Sequence, residues 1–150
     1  MNKYDSMRKR QQDAFNAFSD QYMFYAFSDQ QTKEGIKKVM QRNDLITLDI
    51  TEIAPVAGGG YVLKSKYNDC MEMLKRHQDE IKAACADPDF AFDMFFSIAC
   101  DHEYGYTQDL DELLAYSPLT VDEINANDQI GDALRRACSA AIKDYEECNL

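Results

Sequence analysis

The stretch LITLDITEIAPVAGGGYVL, residues 45–63, decides the fold class. Residues 45–53 are rich in β-branched side chains and alternate, with Ile46, Leu48 and Ile50 on one side, which predicts a strand. Pro55 and Gly58-Gly59-Gly60 break the chain, and Tyr61-Val62-Leu63 reads as a strand returning. The expectation is a β-hairpin with a loose loop, or two strands of a small sheet. A phosphate-cradling glycine loop would run from a strand into a helix. Gly58–Gly60 runs into a strand instead, and no Gly-Lys-Ser/Thr follows, so it reads as a loop that needs positive φ.

Outward from this stretch the period changes to that of a helix. Residues 6–27 carry Phe15, Phe18, Tyr22 and Tyr25 at intervals of three and four, and Met23, Phe24 and Phe27 widen the stripe. The basic run Arg8-Lys9-Arg10 sits at the end of that helix where the dipole disfavours it, so the first turn is expected to fray. Ser28 with Gln31 reads as a capping box that opens a helix to about Gln41, with Ile36, Val39 and Met40 as its apolar face. Residues 65–86 read as a helix capped by Ser65, with a seam along Tyr67, Cys70, Leu74, His77 and Ile81. Asp87-Pro88 ends it and starts the next, which runs to about Glu103 with Ala91, Phe95, Ile98 and His102 on one face. Thr107 is expected to cap a short helix ending near Tyr116, Thr120 with Glu123 is a second capping box, and residues 127–147 form the last helix. The sum is an α+β fold, mainly helical, with about five or six helices around a short antiparallel β-hairpin. Residues 1–150 read as one domain, fraying at 1–9 and 147–150.

The composition is that of a globular chain, with 45% hydrophobic residues and 17 aromatics. The N-terminus MNKYDSMRKRQQ has no apolar core and no cleavage site of a secretory signal, and no apolar run spans a bilayer. Five cysteines, at 70, 85, 100, 138 and 148, are odd in number and lack any C-x-x-C pair. They read as reduced thiols in a cytoplasm.

Charge is the strongest functional signal. The formal net charge is −11, yet residues 1–43 carry +3 and residues 83–150 carry −12. No lysine or arginine occurs in the 52 residues between Lys82 and Arg135. Ordinary helical surfaces mix signs, so this run reads as a negative field kept free of cations. It repels nucleic acid, excludes a role in binding DNA or RNA directly, and attracts a basic protein surface. The candidate partner-binding residues are Asp87, Asp89, Asp93, Asp109, Asp111, Glu112, Asp122, Glu123, Asp128 and Asp132.

Two histidines are the candidates for metal chemistry. His77 lies on the seam of Leu74 and Ile81, and His102 lies one turn past Ile98. With a cysteine or carboxylate they could ligate zinc. Cys100 and His102 are two apart and point to different sides of a helix. Cys70 and His77 are separated by two turns, roughly 10 Å by helix rise. Packing of both as core histidines is the competing reading. The acids sit in loops and helix first turns, where acids are expected, and no Ser-His-Asp or Cys-His-Asn order can be built. No catalytic residues and no cofactor follow from the sequence.

The strings FYAFSDQQ-x-x-EG-x-KK (24–38), AGGGYVLK (57–64), LKRHQDEI (74–81) and DHEYGYT (101–107) carry a resemblance. Over residues 10–110 the chain resembles a family of small proteins encoded by phages, plasmids and integrated elements of anaerobic gut bacteria, for which no catalytic residues are assigned. The resemblance implies a mobile-element context, in which small acidic proteins are often counter-defence factors, anti-CRISPR proteins and nucleic-acid mimics among them. On that footing the expected function is an acidic interaction module that inhibits a nucleic-acid-handling host protein such as an RNA-guided nuclease. The alternatives are a structural or regulatory homo-oligomer whose acidity gives solubility, and a small zinc-binding protein.

Overall fold

A computed structural model describes residues 1–150. Eight α-helices and a three-stranded antiparallel sheet make a mainly helical α+β fold. The elements in order are α1 (Lys3–Tyr22), β1 (Met23–Tyr25), α2 (Asp29–Arg42), β2 (Ile53–Val56), β3 (Gly60–Leu63), α3 (Tyr67–Ala84), α4 (Pro88–Asp101), α5 (Tyr104–Thr107), α6 (Leu110–Ala115), α7 (Val121–Asn125) and α8 (Asp128–Cys148). Their contacts divide between two compact units, Lys9–His77 and Met1–Arg8 with Gln78–Leu150.

The unit Lys9–His77 holds the sheet, in the order β1-β3-β2. β2 and β3 form a hairpin across the glycines, with Ile53 opposite Leu63, Pro55 opposite Tyr61 and Val56 opposite Gly60. Gly58 and Gly59 take φ of 78° and 80°, a left-handed backbone open to glycine at no steric cost. Two expectations are corrected here. Residues 45–52 are not strand: Asp44 adopts φ 52°, the Asp49 carboxylate accepts the Thr51 N–H, and a 3₁₀ turn occupies Ile50–Glu52. This turn leaves Ile46 93% and Ile50 63% exposed. The third strand comes instead from Met23–Tyr25, which the helical stripe had absorbed. Its period is two: Met23 packs with Val62 and Cys70, and Phe24 packs on the other face with Val39, Ile53 and Leu63. Phe24 also stacks on Tyr61, with ring centroids 5.3 Å apart.

Helix α1 ends at Tyr22 because its carbonyls find partners outside the helix. Asn43 Nδ2 donates to Gln21 O and Val39 O, and Gln21 Nε2 donates to Arg42 O and Asn43 Oδ1. One amide pair thus satisfies the C-termini of α1 and α2 together. Ser28 caps α2 as expected by accepting the Gln31 N–H, but the Gln31 side chain accepts from Phe27 N rather than from the cap residue. Ser65 is not a cap; it lies in a 3₁₀ turn ahead of α3.

In the other unit α4 lies along α8. The α4 row Ala91–Phe95–Ala99 and the α8 row Ala133–Ala137–Ala141 are all buried, and the small side chains let the helices approach closely. Leu113, Leu119 and Ile124 close the core from the short helices and loops. The start of α1 belongs to this unit. Tyr4 is 5% exposed and meets Phe90 edge to face at 5.7 Å, so the turn expected to fray is held. The Asn2 side chain accepts the Asp5 N–H there, and Arg8 pairs with Asp101 at 3.4 Å. Asp87 caps α4 with Pro88 at its first position, and Thr120 with Glu123 forms the expected capping box on α7.

Gly35 tests the packing of α2 on the sheet. A Cβ at this buried position would overlap the Phe24 ring. Gly35→Ala is expected to lower stability by about 1–3 kcal/mol, the usual cost of overpacking. Thermal unfolding monitored by circular dichroism checks it, since a neutral or stabilised variant would contradict the packing described.

Candidate protein-interaction surface

All ten candidate carboxylates fall in the unit Met1–Arg8 with Gln78–Leu150. This unit carries six basic and eighteen acidic side chains, a net of −12, and Lys9–His77 carries ten and nine, a net of +1. The sequence run without cations is nevertheless partly neutralised in space. Four of the ten carboxylates already have work in the fold. Asp87 accepts the Asp89 N–H and lies 3.5 Å from Lys3 Nζ. Asp109 caps α6 by accepting the Glu112 N–H. Glu123 accepts the Thr120 N–H and pairs with Lys82 at 3.2 Å. Asp132 pairs with Arg135 and Arg136 at 3.4 and 3.0 Å. The backbone N–H bonds, with the nearby lysines, hold Asp87 and Glu123 below the usual carboxylate range.

The other six have no ion pair: Asp89, Asp93, Asp111, Glu112, Asp122 and Asp128. Asp89, Asp111, Glu112, Asp122 and Asp128 are exposed in the first turns of α4, α6, α7 and α8, where the helix dipole favours them. Asp93 differs. It is half-buried on α4, and burial followed by the charges of Asp89, Asp5 and Asp87 pushes its carboxyl up.

The two ends of the α4–α8 pair differ in chemistry. Pro88 shares a shallow cavity with Asp128 and Asp132, and Arg136 lies over the Phe92 ring at 5.5 Å. Ala99 and Cys100 share a second cavity with Ala141 and Cys148. The two helices therefore run parallel, and both C-termini open on the second cavity, of about 470 Å³. Glu103 and Asp144 line it with the rings of Tyr106 and Tyr145, whose centroids are 5.8 Å apart. Neither α4 nor α8 has a basic residue in its last turn. Sequence reasoning missed this group. Its one sequence signal is negative: two helix ends without the lysine or arginine that would complement the dipole.

His77 and His102 belong to different units. His77 is half-buried and its carbonyl accepts from Gln11 Nε2 at 3.1 Å. Burial first, then Arg76 and Arg10, push its imidazole down and favour the neutral form. His102 does not continue the apolar face of α4. It is the C-cap, and its ring stacks on Tyr116 with centroids 3.6 Å apart. No group of three or more His, Cys, Asp or Glu side chains is arranged to hold a metal ion. The five cysteines are free thiols, with Cys70 and Cys85 buried, Cys138 half-buried, and Cys100 and Cys148 exposed. Burial pushes the Cys85 thiol up to about 11, and burial followed by Asp144 and Asp101 raises that of Cys100.

A model of a family of unknown function, DUF7659, matches residues 3–140, and the chain belongs to that family. No curated protein and no solved structure matches it. No helix is long and apolar enough to cross a membrane.

Two outcomes follow from these environments. Native thiol labelling should modify Cys148 first and Cys100 more slowly, with Cys70 and Cys85 reacting only on unfolding; rapid native modification of Cys85 would contradict its burial. Asp93→Asn tests the repulsion at α4. The folded carboxyl titrates above its unfolded value, so its contribution is fully present below the unfolded value and is lost as pH rises through the folded one. The variant should therefore melt higher than wild type at pH 7, each kcal/mol recovered being worth about 2–4 °C in a chain of this size. The two should converge below about pH 3, where both side chains are neutral. Equal melting at both pH values would show that Asp93 carries no repulsion.

Proposed function

We propose that this member of DUF7659 is a protein-interaction module rather than an enzyme. It docks through the acidic surface of residues 87–132 on the basic groove of a nucleic-acid-handling protein. The observation that carries the reading is the set of six carboxylates without ion pairs, five of them on helix starts, in a unit whose net charge is −12. Carboxylates in ion pairs add little to an external field, but these six have no cation beside them and five are exposed. A partner groove built for phosphates supplies the complementary charge, and an RNA-guided nuclease is a partner of this kind. Docking there would block entry of the nucleic acid without any chemical step.

Charge reversal separates docking acids from capping acids. A chain with Asp111→Lys, Glu112→Lys, Asp122→Lys and Asp128→Lys should associate with a purified RNA-guided nuclease at least tenfold more slowly than wild type. Its melting temperature should fall as well, since each lysine replaces an acid in a helix first turn, but circular dichroism should show the chain folded. Wild-type association should also slow steeply as the screening length falls from about 30 Å at 0.01 M salt to about 8 Å at physiological ionic strength. Surface-plasmon association rates measure both. Rates equal in the two chains and insensitive to salt would overturn the reading.

A further inference from the structure

We infer that the cavity at the shared C-terminal end of α4 and α8 is a receptor for one guanidinium side chain, an arginine presented by the basic partner. The inference rests on the reading of a basic partner, but the site is a different one: neither Glu103 nor Asp144 is among the six carboxylates that carry the docking reading above. Four features converge on a planar organic cation. The first is the electrostatic end effect. Two parallel helices place their negative ends at one cavity, and neither has a cation in its last turn. The second is a pair of carboxylates, Glu103 and Asp144, neither of which is ion-paired. Two cations of the same unit are engaged elsewhere, Arg8 with Asp101 and Lys143 with Glu147.

The third is aromatic. Tyr106 is 69% exposed and Tyr145 37% exposed, and both rings line the cavity. A guanidinium stacks on such rings and donates in its plane to carboxylates, whereas an ammonium does only the second well. The fourth is rigidity. Glu103 and Gln108 take left-handed φ of 55° and 50° on either side of α5. A Cβ on Gly105 would lie 2.6 Å from Ala141 O and from Tyr145 Cβ, so the backbone of α5 rests flush on α8. Tyr106 and Glu103 are thus carried on a short segment clamped in place. At about 470 Å³ the cavity lies in the range of small-ligand sites.

The test titrates the isotope-labelled full chain with Nα-acetyl-L-arginine methylamide, with its neutral citrulline isostere, and with spermidine, following backbone amide shifts. Saturable shifts confined to residues 99–106 and 141–149 are expected with the arginine derivative and not with citrulline. Tyr106→Ala and Asp144→Asn should each weaken binding at least tenfold. Both positions are exposed, so melting curves should show both variants folded. Shifts that never saturate, that citrulline reproduces, or that survive in both variants overturn the inference. Saturable binding of spermidine alone overturns the side-chain source in favour of a free polyamine. The charge-reversed docking chain should bind the arginine derivative as wild type does, which supports the cavity whether or not docking fails. Loss of binding in that chain would overturn the cavity as a separate site.

Discussion

The close contact of α4 with α8 is the constraint on which the larger unit depends. Two rows of residues spaced by four, Ala91–Phe95–Ala99 and Ala133–Ala137–Ala141, face the same core. Alanine at most of these positions removes side-chain bulk and lets the backbones approach, so that Phe95 and Met94, both 0% exposed, fill the remaining space. Leu113, Leu119 and Ile124 then pack on what this pair leaves open. Because the helices run parallel, the contact gathers two positive helix ends at one pole and two negative ends at the other. The electrical character of both poles is thereby set by packing before any side-chain charge is counted.

The side chains answer the two poles differently. At the starting pole Asp87, Asp89 and Asp128 complement the dipoles, and Asp87 also accepts a cap hydrogen bond. Lys3 returns from α1 to meet Asp87, and Arg136 spans from Asp132 to the face of Phe92. A run of 52 residues without a cation in sequence is therefore not a surface without cations in space, because cations from either side of the run fold back onto it. What survives as an external field is the smaller set of carboxylates that no cation engages.

Much of the fold was legible because its signals are local. Asp87-Pro88, Thr120 with Glu123, and the glycines at 58 and 59 each specify their own few residues of backbone, and each does so in the structure. The errors fall where a local pattern supports two answers. LITLDITEI has the composition of a strand, but an Asp49 carboxylate within reach of the Thr51 N–H closes a turn there instead. Met23-Phe24-Tyr25 extends a helical stripe equally well as a strand. The choice is made by Gly60–Val62, which pairs with it from 37 residues away in sequence. The candidate acids were legible as a set, but their division into engaged and free was not. That division depends on Lys3 and Lys82, which tertiary structure brings beside Asp87 and Glu123, and on Arg135, which lies beside Asp132 on the same face of α8. The cavity was illegible for the same reason, since Glu103 and Asp144 are 41 residues apart in sequence.

The distinction between the poles also separates stability from function as explanations of the acidity. Acids in helix first turns stabilise the helices that carry them, so solubility and capping account for Asp109, Glu123 and their neighbours without a partner. That account fails at the finishing pole. Glu103 and Asp144 lie toward the C-terminal ends of α4 and α8, where neither capping nor the helix dipole calls for an acid. Glu103 in addition holds a left-handed backbone that glycine or asparagine adopts more readily. Beside them two tyrosine rings remain open to solvent. Two carboxylates that capping does not account for, beside two open rings, match one kind of ligand, the planar cation proposed for this cavity.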